Sequence, residues 1–308
     1  MILEVKDLVK TFGSREKTVA VDHVSFNLAE NECLGIIGES GSGKSTTANI
    51  IAGFLKPDSG SIVYEGNELT GRSSRQGRKL REGIQMVFQD PQGSFDPRIK
   101  LGKSITEPLR CMKGKEGVLS LEEVMDMVGL KAEYADKYPW EISGGECQRA
   151  AIARALISRP SLLICDELTS ALDVSVQAQI INLLYDLKKK SSMAFIFISH
   201  DLASVSSLCD DVAVMYKGRY LEYGRTMDVI SDPGHPYTRD LMNNAVYPGK
   251  KPIFENSCSE EAGCCPYRRY CSDLSEDCRR FRMEDVSQAG SYCMCVRDGS
   301  YRKLLGIS

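Results

Sequence analysis

Gly38-Glu39-Ser40-Gly41-Ser42-Gly43-Lys44-Ser45 sets a glycine, four residues, a second glycine, a lysine and a hydroxyl in one row, with Thr46 following. The pattern is that of a phosphate-binding P-loop, whose mechanism requires a strand before it and a helix after it. Both are legible: Cys33-Leu34-Gly35-Ile36-Ile37 is an apolar run of strand length, and a helix is expected from about Lys44. Gly38, Gly41 and Gly43 let the chain fold so that successive backbone N–H groups, from Ser40 to Thr46, face one anion together with the helix N-terminus. Lys44 adds a point charge for the β and γ phosphates, and Ser45 a hydroxyl for Mg²⁺. Bound ATP with Mg²⁺ is the expectation.

Outward from this loop, strands and helices alternate. Leu162-Leu163-Ile164-Cys165 and Ala194-Phe195-Ile196-Phe197-Ile198 have the length and composition of strands buried on both faces, while 150–158 and 175–190 carry helical periodicity. A parallel sheet with covering helices follows. Near the N-terminus, Ile2-Leu3-Glu4-Val5 and Val21-Asp22-His23-Val24-Ser25-Phe26 alternate in short runs around the turn-like 13–16, which predicts an antiparallel β lobe. A helical, charged insertion is expected over about 95–145, clearest at Leu121-Glu122-Glu123-Val124-Met125-Asp126-Met127-Val128. Asp232-Pro233-Gly234-His235-Pro236 is a breaker cluster and sets the expected boundary between a domain over 1–232 and a small extension over 233–308. The expected fold class is α/β, a P-loop NTPase with these parts.

Composition narrows the function classes. Of 308 residues, 42% are hydrophobic and 26% charged, and the formal net charge is -3, so no basic footprint predicts a nucleic-acid partner. Lys188, Lys189 and Lys190 form the one compact basic run, read as a solvated helix end. Glu4 and Asp7 stand where a secretory leader needs its apolar stretch, and no apolar run approaches the roughly 18–20 residues that cross a bilayer. A membrane role would be borrowed from partner subunits.

Asp166-Glu167, at the end of the strand over 162–165, puts two carboxylates beside the P-loop in this architecture. Asp166 would hold the Mg²⁺ shell and Glu167 would polarise the attacking water, since phosphoryl transfer depends on an oriented nucleophile. Ile142-Ser143-Gly144-Gly145-Glu146-Cys147-Gln148-Arg149 precedes a helical stretch, so Ser143, Gly144 and Gly145 should expose donors at a helix N-terminus, a second anion site.

With this last segment the chain resembles the nucleotide-binding subunits of ABC transporters, over about residues 1–230. The resemblance implies a head-to-tail dimer with a second such subunit, in which the Ser143 loop contacts the γ-phosphate held by the opposing P-loop. It implies that Gln89 senses Mg²⁺ and the transmembrane partner, that Asp173, in Ser170-Ala171-Leu172-Asp173, joins the two sites, that His200 is the switch histidine, and that Phe12 stacks on adenine. Two departures stand out: Leu168 replaces the proline that usually follows the glutamate, and Glu146 stands where glutamine is commonest. Lys44, Glu167, Ser143 and His200 are all retained, so hydrolysis is expected.

Gly234-His235-Pro236-Tyr237-Thr238-Arg239-Asp240-Leu241 looks like the segment that follows the ATPase core in oligopeptide, dipeptide and nickel importer subunits. That resemblance implies permease subunits, indirectly an extracytoplasmic solute-binding protein, and a place on the cytoplasmic face of the membrane. His235 itself reads as a structural contact. Seven of the twelve cysteines follow residue 257. Cys265, Cys271, Cys278 and Cys295 resemble in spacing the four-cysteine module that binds a [4Fe-4S] cluster in some peptide-importer ATPases. Thiolates also suit zinc, and unligated thiols or disulfides stay open, as does the part taken by Cys258, Cys264 and Cys293. Two other readings remain: a non-transport ABC ATPase of translation or DNA repair, and a metal-sensing regulatory subunit.

Overall fold

Alternation of apolar and polar residues builds the first two strands, β1 (Leu3–Phe12) and β2 (Thr18–Leu28), which pair antiparallel with Leu3 opposite Leu28 and Val5 opposite Phe26. β4 (Ser59–Tyr64) and the short β5 (Asn67–Glu68) complete a four-stranded antiparallel sheet in the order β2-β1-β4-β5. The computed structural model describes residues 1–14, 16–70, 80–110, 112, 117–168, 172–246, 265–271, 292–293 and 295.

The second sheet has the order β11-β10-β9-β3-β8-β7-β6. Its centre is β3 (Cys33–Ile37), parallel to β8 (Ala194–Ile198) on one side and to β9 (Asp211–Tyr216) on the other. β7 (Leu162–Asp166) and β6 (Ile84–Val87) extend it in parallel, while β10 (Arg219–Arg225) and β11 (Tyr292–Cys293) extend the other edge antiparallel. All five residues of β3, β7 and β8 are buried, as expected of strands covered on both faces.

Strand alternation divides the core in two. Leu34, Ile36, Ile164, Ile196 and Ile198 join Ile50 and Ile51 of α1 (Lys44–Ala52) and the strands of the small sheet. Their neighbours Cys33, Ile37, Cys165, Phe195 and Phe197 face the opposite layer. That layer contains α4 (Gly144–Leu156), α5 (Val174–Lys190) and α6 (Leu202–Leu208). α2 (Leu101–Ile105) and α3 (Leu121–Met127), each followed by a 3₁₀ segment, pack against α4. Asp22 ties the small sheet to the large one, its N–H donating to the Gly218 carbonyl at 2.9 Å and its carboxylate pairing with Arg219 at 2.5 Å. α7 (Thr226–Ser231) and α8 (Pro236–Val246) close the described helices. No helix among the described residues is long and apolar enough to cross a membrane.

Candidate active site

Parallel strands gather the predicted residues because their C-terminal ends lie along one rim: the P-loop follows β3, Asp166 ends β7, His200 follows β8 and Gln89 follows β6. Two glycines of the loop are obligatory. Gly38 and Gly43 have φ of 150° and 110°, and an added Cβ would come within 2.1 Å of the Met215 and Ala20 carbonyl oxygens respectively.

Lys44 is 4% exposed, and its Nζ donates to the carbonyls of Gly38 and Glu39, each at 2.8 Å. Burial pushes the ammonium pKa down, while Glu167, Asp166 and Glu39 pull it back up. The Ser45 hydroxyl donates to Asp166 Oδ1 at 3.0 Å. Burial also pushes the Asp166 carboxyl up; Ser45 and Lys44 oppose that rise, and neighbouring Glu167 adds to it. A buried hydroxyl–carboxylate pair whose negative charge is poorly solvated fits a divalent cation, which would supply the missing compensation. Ser45 and Asp166 are the residues placed to hold it.

Glu167 occupies the left-handed region with φ of 47°, its N–H donating to the Ile198 carbonyl at 3.0 Å. Its carboxylate accepts from Gln89 Nε2 at 3.0 Å, so the glutamine and the glutamate of the expected site are in contact. Leu168, the departure from proline, is 1% exposed in the core. His200 is exposed just beyond β8, and Phe12 is 42% exposed with the Lys10 ammonium 5.6 Å from its ring.

A second group forms at the starts of α4 and α5. Ser143 caps α4: its Oγ accepts from the Glu146 N–H, and Glu146 Oε2 accepts from the Ser143 N–H at 2.9 Å. Tyr134 donates to the other Glu146 oxygen at 2.6 Å. Glutamate in place of glutamine thus closes a reciprocal cap, which the Ser-x-x-Glu spacing signals. A Cβ on Gly145 would come 2.5 Å from Val176 Cγ1, so this loop sits directly on α5. Asp173 caps α5, accepting from the Ser175 and Val176 N–H groups at 3.1 and 3.0 Å, and the Ser175 hydroxyl followed by these donors holds its carboxyl below the usual range. Ser170 and Ala171 lie outside the described residues.

The chain matches the ABC transporter family over residues 21–170. It is 40% identical to the oligopeptide transport ATP-binding protein OppF of Haemophilus influenzae, across 94% of this chain and 92% of that one. The chain belongs to the ABC transporter ATP-binding subunits. The glutathione import ATP-binding protein GsiA of Escherichia coli O157:H7 is also 40% identical, over 97% of this chain and 48% of the longer relative. A dimeric ATP-binding cassette in a post-hydrolysis state, bound to ADP and Pi, superposes with a TM-score of 0.65 at 27% identity, over 73% of this chain and 99% of the cassette. As an ABC importer subunit the chain is an ATPase whose hydrolysis is coupled to transport, and the α/β P-loop fold is the family's.

The cysteine tail is described in part. Cys265 and Cys271 are half-buried and Cys293 and Cys295 buried, whereas Cys258, Cys264 and Cys278 lie outside the described residues. Among the described residues no group of three or more His, Cys, Asp or Glu side chains is arranged to hold a metal ion. One contact escaped the sequence: the Tyr237 hydroxyl accepts the N–H of Glu39 at 3.1 Å, joining the segment after residue 233 to the P-loop. Tyr237 stood inside a quoted motif, but no sequence pattern says which backbone group a tyrosine reaches.

Proposed function

We propose that this chain is the motor of an importer for oligopeptides or related small solutes, nickel included, seated on the cytoplasmic face of the membrane against permease subunits that receive solute from an extracytoplasmic binding protein. The contact that carries the reading is Ser45–Asp166 beside Glu167–Gln89, one rim where a pair suited to a cation adjoins a carboxylate that could orient water. Lys44 and the loop residues Gly38, Ser40, Gly41, Gly43, Ser45 and Thr46 bind the phosphates, Phe12 stacks on adenine, Ser45, Asp166 and Gln89 hold Mg²⁺, and Glu167 with His200 directs the attacking water. Ser143, Gly144, Gly145 and Asp173 complete the site of the opposing subunit, a copy or a homologue. The dimeric cassette similar to this chain supports that arrangement. The import names of the similar proteins favour transport over translation, repair or regulation.

Residues 1–232 form the nucleotide-binding unit, with an insertion over about 95–145, and 233–308 the extension. For Cys265, Cys271, Cys278 and Cys295 we propose a [4Fe-4S] cluster, with zinc as the alternative; the four-cysteine spacing and soft sulfur donors support it. A bound cluster would cross-link a segment with little apolar core of its own.

Co-expression with the neighbouring permease genes and reconstitution into vesicles tests the function. ATP-dependent accumulation of peptide is expected, lost with Glu167→Gln. Stable assembly with no permease, and ATPase activity indifferent to peptide and binding protein, would reject the importer reading.

A further inference from the structure

The extension touches the P-loop through one hydroxyl. Tyr237, second residue of α8, is 1% exposed, and its Oη accepts the Glu39 N–H at 3.1 Å. That N–H belongs to the same peptide unit as the Gly38 carbonyl, which accepts from Lys44 Nζ at 2.8 Å. The Gly38–Glu39 peptide plane is therefore held at both ends, at the point where Gly38, with φ of 150°, turns the chain from β3 into the loop.

Three contacts fix Tyr237 in turn. Its ring packs at 4.6 Å on Tyr216 of β9 and at 5.1 Å on Tyr267, and Tyr216 meets Tyr267 edge-on at 5.3 Å. Its own N–H donates to His235 Nδ1 at 3.0 Å, which leaves the proton of the neutral imidazole on Nε2, 3.5 Å from Cys265 Sγ. The Tyr267 hydroxyl donates to Asp240 of α8. A continuous set of contacts thus runs from the cysteine segment over 265–271, through His235 and Tyr267, to Tyr237 and on to the first turn of the P-loop.

We infer that Tyr237 is a positioning residue for nucleotide binding, and that the cysteine segment sets ATP affinity through it. The hydroxyl fixes the plane of the Gly38–Glu39 peptide, so the N–H groups that follow are aimed at phosphate before it arrives, and less orientational freedom is lost on binding. This rests on reading the Lys44 loop as the ATP site. It goes beyond that reading because Tyr237 touches no phosphate-binding group directly except through the loop backbone.

The test uses the full chain, a fluorescent ATP analogue with Mg²⁺ for Kd, and phosphate release for KM and kcat. Tyr237→Phe keeps the ring stack and removes only the acceptor. It should raise Kd and KM about threefold to tenfold, the usual yield of one neutral hydrogen bond, and change kcat less than twofold. Tyr267→Ala, which leaves the Tyr237 hydroxyl in place but strips its support, should raise Kd in the same direction. The double variant should bind no more weakly than about the weaker single one, because both act through the same hydroxyl. A Tyr237→Phe protein that melts lower yet binds ATP like the parent would reduce Tyr237 to packing and overturn the inference. Fully additive losses would overturn the part assigned to the cysteine segment. Absence of ATP binding by the parent protein would reject the ATP-site reading itself, and the inference with it.

Discussion

At Asp166 the proposed chemistry would come at the expense of stability. Its carboxyl is raised from 3.8 by burial, so the unfolded chain releases the proton at lower pH than the native one. Between those two values the native state binds more protons, and stability falls as pH rises through that interval and stays lowered at neutral pH. Asp166→Asn should therefore stabilise the nucleotide-free protein by about 0.5–2 kcal/mol at pH 7 while abolishing Mg²⁺-dependent turnover; a thermal melt below that of the parent would contradict this. Lys44 and Glu167 separate in another way. Glu167→Gln should keep ATP binding and slow hydrolysis by about 10²–10⁴, whereas Lys44→Ala should weaken binding itself, read by nucleotide titration beside phosphate release. Equal loss of binding in both would count against these roles. Such candidates are legible in sequence because phosphate and metal chemistry would dictate their identity and order. The Gln89–Glu167 hydrogen bond is not, since it joins the ends of two strands 78 positions apart whose pairing only the folded sheet supplies.

At the scale of elements, helix starts carry the information. Ser143 and Asp173 each sit at an N-cap, and both caps are charge-assisted or reciprocal, so α4 and α5 begin at fixed points with Gly145 against Val176 between them. Glu146→Ala should cost about 0.5–2 kcal/mol by opening the cap at Ser143, measured by urea unfolding. In a Glu167→Gln background, ATP should drive a dimer with a copy or the cognate second ATPase, and Ser143→Arg should abolish it on size-exclusion chromatography without preventing ATP binding by the monomer. A Ser143→Arg dimer of unchanged stability would show that this loop lies away from the interface. β3, β7 and β8 were legible as apolar runs, and α3 and α5 by their period. β6 is four residues long and becomes a strand by pairing with β7, from Ile84 opposite Leu162 to Val87 opposite Cys165. β11 is two residues, fewer than any periodic signal requires, and lies some 67 positions beyond the end of β10.

Across the whole molecule, His235 ties acid sensitivity to the place where the chain after residue 232 meets the large sheet. Burial, with the Arg239 charge adding to it, lowers its pKa from 6.5 to about 3, and Glu222, Cys265 and Tyr267 surround it. The unfolded chain gains that proton first as pH falls, so this contribution to stability is full above about 6.5 and is lost toward 3, at up to about 1.4 kcal/mol per pH unit. Denaturant unfolding between pH 4 and 7 should show that slope, flattened in His235→Asn; an equal slope in both would place the acid sensitivity elsewhere. The Glu222 carboxylate, on β10, accepts the N–H groups of Gly234 and His235 at 2.8 and 3.1 Å, and Tyr292–Cys293 lie along the outer side of the same strand. An uncovered strand offers its free N–H and C=O groups to any other strand it meets. Trimming the chain at the Pro233 breaker would strip that cover and take two N–H donors from the Glu222 carboxylate, so losing a tail that looks detachable would also open the edge of the sheet to neighbouring molecules.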